Sequence, residues 1–254
     1  MTRQPPNESL SRRQLLTGLA GGAATLGLPL AGAAEKGAPP RKLKVIVAGG
    51  HPDDPESCAG GTIARYSDDG HDVICLYLTR GEAGKRAPTP EETAIKRIGE
   101  AKKSCEILRA RPMFAGQVDG TTEVTNAAYE AFTKIIEAEK PDIVFTHWPV
   151  DYHRDHRATS MLVLDAWFKS PHKFELFYFE GHGGAHRLLF QPTHYVDITK
   201  TEARKQEACL VHGSGPRIYK KYHDLMNRFR GLECGCEYAE AFIHQYRGPG
   251  ALLT

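Results

Sequence analysis

His51, Asp53 and Asp54 fall within four consecutive residues, interrupted only by Pro52, directly after a short apolar run that ends in Gly49 and Gly50. Imidazole and carboxylate are ligand types that a catalytic zinc ion takes, and His51 with Asp54, three residues apart around the turn at Pro52, can reach one ion. Asp53 is then left free to move protons. A second cluster, Asp151 to His156 (DYHRDH), follows a second apolar run, Asp142 to Thr146 (DIVFT). In open α/β sheets ligands bind in the crevice beyond the carboxyl ends of the strands, so one site can collect both clusters. The competing reading of the first stretch is a turn whose aspartates cap the next helix, since Asp suits such positions and Pro-Asp is turn chemistry.

Elements able to position two such clusters are visible around them. Lys44 to Ala48, Asp72 to Leu78 (DVICLYL), a short stretch with Met113 and Phe114, and Asp142 to Thr146 read as strands buried on both faces. Between them the spacing predicts helices over Cys58 to Asp69, closed by Gly70, and over Glu91 to Arg109, with Ile95, Ile98, Cys105 and Leu108 as the inward stripe and Arg97 off it. A further helix spans Thr125 to Glu139, with Ala128, Ala131, Phe132, Ile135 and Ile136 inward, and another Arg157 to Lys169. His153 and His156, three apart at that last helix's beginning, can share its first turn. Strands at Phe174 to Phe179 and Thr193 to Ile198 and helices at Thr199 to Leu210 and Ile218 to Arg230 complete the chain. The βαβαβαβ alternation is that of an α/β domain with a mostly parallel sheet. Thr79 to Pro90 is a polar, Gly- and Pro-rich loop of the kind that borders a site. Glycines 49, 50, 60 and 61 do not form GxGxxG, so no dinucleotide site is supported.

At 254 residues, 41% hydrophobic and 25% charged, the chain suits one α/β domain. Residues 1–34 resemble a twin-arginine export signal: Arg12-Arg13, a Gly/Ala/Leu run without charge until Glu35, and Ala31-Gly32-Ala33 for a signal peptidase. A membrane anchor is the alternative, because that run of ~20 residues is about long enough to span, but its glycines and Pro29 favour the signal. Residues 35–42 then form a linker and 43–254 the domain, exported to a periplasmic or extracellular destination with no stable membrane insertion after cleavage. Removing Arg3, Arg12, Arg13 and Glu8 leaves acidic and basic residues balanced, so nothing favours nucleic acid or an anionic membrane. All six cysteines lie in the mature part, where an oxidising destination permits disulfides. Cys234 and Cys236 have neither redox CxxC nor zinc-ribbon spacing and read as structural or free thiols, and Cys75 reads as a small core residue.

HPDD at 51–54, TRGEAG at 79–84, RIGEA at 97–101 and HRDH at 153–156 together resemble the PIG-L/LmbE family of zinc-dependent N-acetylglucosamine deacetylases, from about Lys44 to Tyr246. The resemblance implies a Rossmann-like fold, Zn²⁺ held by His51, Asp54 and His156, and Asp53 as general base. It further implies that His153 steadies an oxyanion or protonates the leaving amine, that Asp155 orients it, and that Arg97 contacts the substrate sugar. An arginine on a helix is otherwise a solvated or salt-bridged group. Fe²⁺, Co²⁺ or Mn²⁺ also suit a His₂Asp site. Two departures stand out: Pro55 intervenes before Glu56, where the family has Glu directly, and Asp151 and Tyr152 stand where it often has glycine and an aromatic. Of the remaining histidines, His147, His182, His186 and His194, His182 is the best additional pocket candidate. The implied function is removal of an acetyl group from an N-acetylglucosamine-type conjugate, a small molecule or glycan outside the cytoplasm. The alternatives are an amidase on a non-sugar N-acyl substrate and a carbohydrate-binding protein without turnover. Asp53 together with His153 favours an enzyme, because a binder needs neither.

Overall fold

The computed structural model describes residues 41–181, 188–214 and 219–246; the proposed leader, most of the linker and His182 lie outside them. The apolar runs become the centre of a parallel sheet. Strand β1 (Lys44–Gly49) lies between β2 (Asp72–Thr79) and β4 (Ile143–His147), parallel to both. Because side chains alternate across a strand, Val45 and Val47 enter one core and Ile46 and Ala48 the other, all fully buried. Adding β3 (Arg111–Gln117), β5 (Glu175–Phe179), β6 (His194–Asp197) and β7 (Ala239–Gln245) gives the order β3-β2-β1-β4-β5-β7-β6. The first five strands are parallel, and β7 runs antiparallel to both β5 and β6.

Helices α1 (Asp54–Asp68), α2 (Pro90–Leu108) and α5 (Glu202–Val211) pack together on one face, around Val45, Ile63 and Cys105. Helices α3 (Asn126–Glu139) and α4 (Arg154–Lys169) cover the other, around Ile46, Leu162 and Trp167. A π-helical turn, Tyr219–His223, leads into α6 (Asp224–Cys234), which packs on β7. The α/β, mostly parallel architecture flanked by helices is as expected. From β1 the chain proceeds outward to β2 and β3, then returns to place β4 on the other side. Here the strand order reverses, and the carboxyl ends of β1 and β4 open the crevice that collects ligands in such folds.

Several boundaries differ from expectation. Helix α1 starts at Asp54, not Cys58, because Pro55 fits a first turn that needs no amide donor. Helix α4 starts at Arg154 rather than Arg157, which makes His153 its N-cap. In α2, Cys105 and Leu108 are fully buried as expected, but Ile95 is 63% exposed and Arg97 only 8%. Buried oxygens that receive the guanidinium turn Arg97 inward at the start of this helix. Ala131 is likewise exposed, and the stretch that forms β7 was not anticipated as a strand.

A kink at Ala59 (φ −139°, ψ 20°) interrupts α1 and frees amides of the next turn. Glu240 on β7 accepts them, from Gly61 N at 2.9 Å and Thr62 N at 2.7 Å. Lys205 on α5 neutralises that carboxylate at 2.7 Å, with both side chains 1% exposed. No helix among the described residues is long and apolar enough to cross a membrane. All six cysteines are free thiols, and Cys75 is a fully buried core residue.

Candidate active site

Gly49 ends β1 against the start of α1: a Cβ there would stand 2.6 Å from Asp54 Cβ and 2.7 Å from Pro55 Cδ. The turn between them puts Asp53 at φ 123°, ψ −21°, a conformation that L-residues rarely adopt and that persists when surroundings hold it. Although Asp53 occupies the N-cap position, its side chain makes no capping bond. Its Oδ1 instead lies 3.2 Å from Arg97 Nη2, and its Oδ2 accepts from Ser214 Oγ at 2.9 Å. The capping reading therefore does not describe Asp53.

Asp54 is the hub of the cluster. Its Oδ2 is 3.2 Å from His51 Nδ1, 3.2 Å from His147 Nε2 and 3.4 Å from His156 Nε2. Behind each outer imidazole stands a carboxylate: Asp155 Oδ2 and Asp119 Oδ1, both 3.2 Å from His51 Nε2, and Asp151 Oδ2, 3.0 Å from His156 Nδ1. Such carboxylate partners fix ring orientation and leave the opposite nitrogen for a metal. His51 Nδ1 and His156 Nε2 thus each face Asp54 Oδ2. A tetrahedral ion with bonds of ~2.0–2.1 Å separates its ligands by about 3.3 Å, close to the spacing of Asp54 Oδ2 from each imidazole; among the described residues, Asp54, His147 and His156, and also His51, His153 and His156, offer ligand atoms within 4.8 Å of one another. His147 is different, because its Nε2 already accepts from Gly50 N at 3.1 Å.

Charge supports the same fit. Burial works against protonating His51, but Asp119, Asp155 and Asp54 raise its pKa well above the imidazole range. His156 is likewise opposed by burial yet pushed up to about 9 by Asp54 and Asp151. Burial disfavours the Asp54 charge too, but His156 above all holds its carboxyl well below the usual range. A divalent cation among these atoms would replace the protons as positive partner of the carboxylates. His147 stays neutral, pushed down to about 4 by burial and by His156, on which its ring stacks with centroids 3.8 Å apart. The His/Asp cluster can hold a metal ion.

His153 stands beside it, with its ring centroid 4.8 Å from His51 and 4.5 Å from His156. As N-cap of α4 it accepts Asp155 N at its Nδ1, 3.3 Å away, so the neutral ring carries its proton on Nε2. Burial, followed by the neighbouring His156 and His51, lowers its pKa and favours that neutral form. The carboxylate of Asp155 is not on this ring, contrary to what the resemblance implies. It faces His51 and accepts from Thr122 Oγ1 at 2.7 Å and Gly120 N at 2.8 Å. Only the Asp155 amide reaches His153.

Arg97 bolts three motifs together. Nη2 donates to Pro52 O at 2.5 Å besides pairing with Asp53, and Nη1 donates to Gly81 O at 3.3 Å. Gly81, at φ 70°, lies so close that a Cβ would come within 2.4 Å of the guanidinium. Glu56, displaced one position by Pro55, is a core group: its Oε1 accepts Tyr77 OH at 2.6 Å and lies 3.3 Å from His212 Nε2. The cluster opens into a cavity of about 680 Å³ whose lining adds Arg97, Tyr152, Ser214, Tyr219 and His223.

Sequence reasoning missed His147, Asp119 and Ser214 as members of the site. The first two were findable, since His147 ends β4 and Asp119 follows β3, both at the sheet's ligand-binding edge. Ser214 follows α5 and carries no such signal.

The sequence pattern of the family described as PIG-L, GlcNAc-PI de-N-acetylase, matches residues 46–167. Diacetylchitobiose deacetylase of Thermococcus kodakarensis is 35% identical over 226 residues, which cover 78% of this chain and 81% of that protein. The structure of N,N'-diacetylchitobiose deacetylase from Pyrococcus horikoshii superposes with a TM-score of 0.72 at 26% identity, over 82% of this chain and 87% of that one. The fold is also shared with GalB, a 4-carboxy-2-hydroxymuconate hydratase of Pseudomonas putida, at a TM-score of 0.72 and 21% identity, over 84% of this chain and 100% of that one. At that identity the likeness concerns architecture alone, and fold does not carry function. Motifs, site geometry and the extended match to the Thermococcus protein agree that this chain is a member of the PIG-L family.

Proposed function

We propose that this chain is an exported, zinc-dependent hydrolase that removes the acetyl group from an N-acetylglucosamine-type sugar conjugate. The observation that carries the reading is the approach of both His51 Nδ1 and His156 Nε2 to Asp54 Oδ2, in a cavity also lined by an Asp53 carboxylate that caps nothing. His51, Asp54 and His156 hold the ion, which when bound supplies Lewis acidity toward the amide carbonyl and lowers the pKa of water. Asp53, oriented by Arg97 and Ser214, accepts the proton of the attacking water. The Nε2–H of His153 donates to the carbonyl oxygen as negative charge builds there. Asp53 then passes that proton to the departing nitrogen as the C–N bond breaks, which releases the amine and acetate. Asp155 steadies His51 and, through its amide, the tautomer of His153. A cavity of about 680 Å³ has room for more than one small ring, which favours a conjugate or oligosaccharide.

The test is amine release from a panel of N-acetylated sugars, oligosaccharides and non-sugar amides, with and without chelator. Release that is confined to acetamido sugars and abolished by chelation is expected. Release from none, with sugar binding retained, replaces the enzyme with a binding protein.

Arg97→Ala is expected to spare metal content and lower the specificity constant about tenfold to a hundredfold, matching the ~1.5–3 kcal/mol of a charged hydrogen bond. Because Arg97 also grips Asp53, part of that loss is expected in kcat. Unchanged kinetics on every active substrate would assign the residue to packing.

Export rests on Arg12-Arg13 and the uncharged run that follows. Replacing both arginines by lysine is expected to leave precursor in the cytoplasm, as read by fractionation and immunoblotting. Normal processing of the double variant would point to a general secretory signal.

A further inference from the structure

Cys234 and Cys236 end α6 and begin the return to β7. Cys234 is exposed and Cys236 partly so, whereas Cys58, Cys75, Cys105 and Cys209 are buried. The two Sγ atoms stand 3.4 Å apart across Gly235. A well-braced turn holds them there: the amides of Gly235, at φ 82°, and of Cys236 both donate to Gly231 O, at 2.8 and 2.9 Å. Each sulfur has its own backbone acceptor, Gly231 O at 3.8 Å for Cys234 and Tyr238 O at 3.2 Å for Cys236. Helix and returning chain touch here, since a Cβ on Gly231 would lie 2.6 Å from Glu237 O. Bonding at ~2.05 Å requires the sulfurs to approach by only a little more than an ångström.

We propose that Cys234 and Cys236 form a dithiol–disulfide couple, a redox modification site that closes a Cys-Gly-Cys ring by exchange with a small-molecule disulfide such as oxidised glutathione. The more exposed Cys234, as thiolate, attacks one sulfur of that disulfide, forming a mixed disulfide and expelling the first glutathione thiolate. Cys236 then gives up its proton and attacks Cys234 Sγ, breaking the mixed bond and expelling the second thiolate. The two thiolates released take up the two protons surrendered, so the protein loses two hydrogens and one external disulfide becomes two thiols. Cys236, pushed up to about 11 by partial burial and by Cys234, is the resolving partner rather than the first attacker. Neither residue is among those lining the cavity, so this couple stands or falls independently of the deacetylation reading.

The full chain, equilibrated with glutathione buffers of graded ratio, is alkylated and the peptide holding both cysteines is weighed. At oxidising ratios that peptide is expected to be two hydrogens lighter, to carry neither alkyl group nor glutathione, and to revert with reductant. Cys236→Ser is expected to stall with glutathione retained on Cys234, and Cys234→Ser to slow the first capture about tenfold. Thermal unfolding near that of the parent checks that both variants fold; if either does not, the mass shift of the unmodified chain decides alone. Glutathione persisting on Cys234 of the unmodified chain, or alkylation of both thiols at every ratio, overturns the couple. Protection by Zn²⁺ without any oxidant, relieved by chelator, overturns it in favour of a thiolate metal site.

Discussion

Asp53→Asn is expected to keep its metal and fold while losing about 10²–10⁴ in turnover, whereas its neighbour's replacement, Asp54→Ala, loses metal and activity together. The asymmetry follows from where two adjacent carboxylates point. Asp54 Oδ2 lies 3.2–3.4 Å from three imidazole nitrogens, and without it two histidines remain as proposed ligands, a poor site. Asp53 instead contacts Arg97 and Ser214. Asparagine preserves its shape and an acceptor for Arg97 but cannot take a proton, and general-base catalysis contributes a factor of this size. His153→Ala is expected to behave like Asp53→Asn, with metal retained and rate lost, because its ring touches the cluster but its Nδ1 is engaged by the Asp155 amide. Metal analysis of the three purified variants, set beside their turnover numbers, decides the matter. Metal lost from Asp53→Asn and kept by Asp54→Ala would exchange the two roles. Full activity in all three would sink the amidase mechanism.

Glu240→Ala is expected to cost about 3–5 kcal/mol of stability, the range for breaking a buried ion pair by removing one partner. The loss has two sources in one change: the Lys205 ammonium is left buried without its anion, and Gly61 N and Thr62 N lose their acceptor at the Ala59 kink. Asn227 Oδ1, 3.2 Å from Lys205 Nζ, compensates only in part. Glu240→Gln, which keeps an acceptor for the amides, is expected to lose less, and the gap between the variants separates charge from amide satisfaction. Denaturant midpoints with m-values measured alongside provide the reading. A shift of less than about 1 kcal/mol for Glu240→Ala would mean that water replaces the carboxylate.

The strands were legible because a sheet covered on both faces demands unbroken apolar runs, and VIVA and VICLYL offer nothing else. Strand β7 was not legible: AEAFIHQ lies at the antiparallel end of the sheet and places a charged Glu240 in the interior, which no apolar pattern announces. On α2, Ile95 and Arg97 were misread for a related reason. Periodicity ranks residues by apolarity, and it has no way to know that Pro52, Asp53 and Gly81 supply oxygens to receive Arg97.

By itself, then, the sequence determined that His51, Asp53 and Asp54 follow one strand and His153, Asp155 and His156 another, because local turns and helix starts lie within a few residues of those side chains. Only the tertiary structure decided how the clusters meet and what each carboxylate serves. Strand order places β4 beside β1, which puts His156 and His147 against Asp54, and the loop after β3 brings Asp119 to His51. The same packing assigns Asp155 to His51 rather than to His153, and gives Asp53 its grip from α2 and from the segment after α5. These pairs are separated by tens to more than a hundred residues along the chain. The choice of partner therefore rests on which buried charges the folded sheet and helices leave within reach of one another, and local spacing does not encode it.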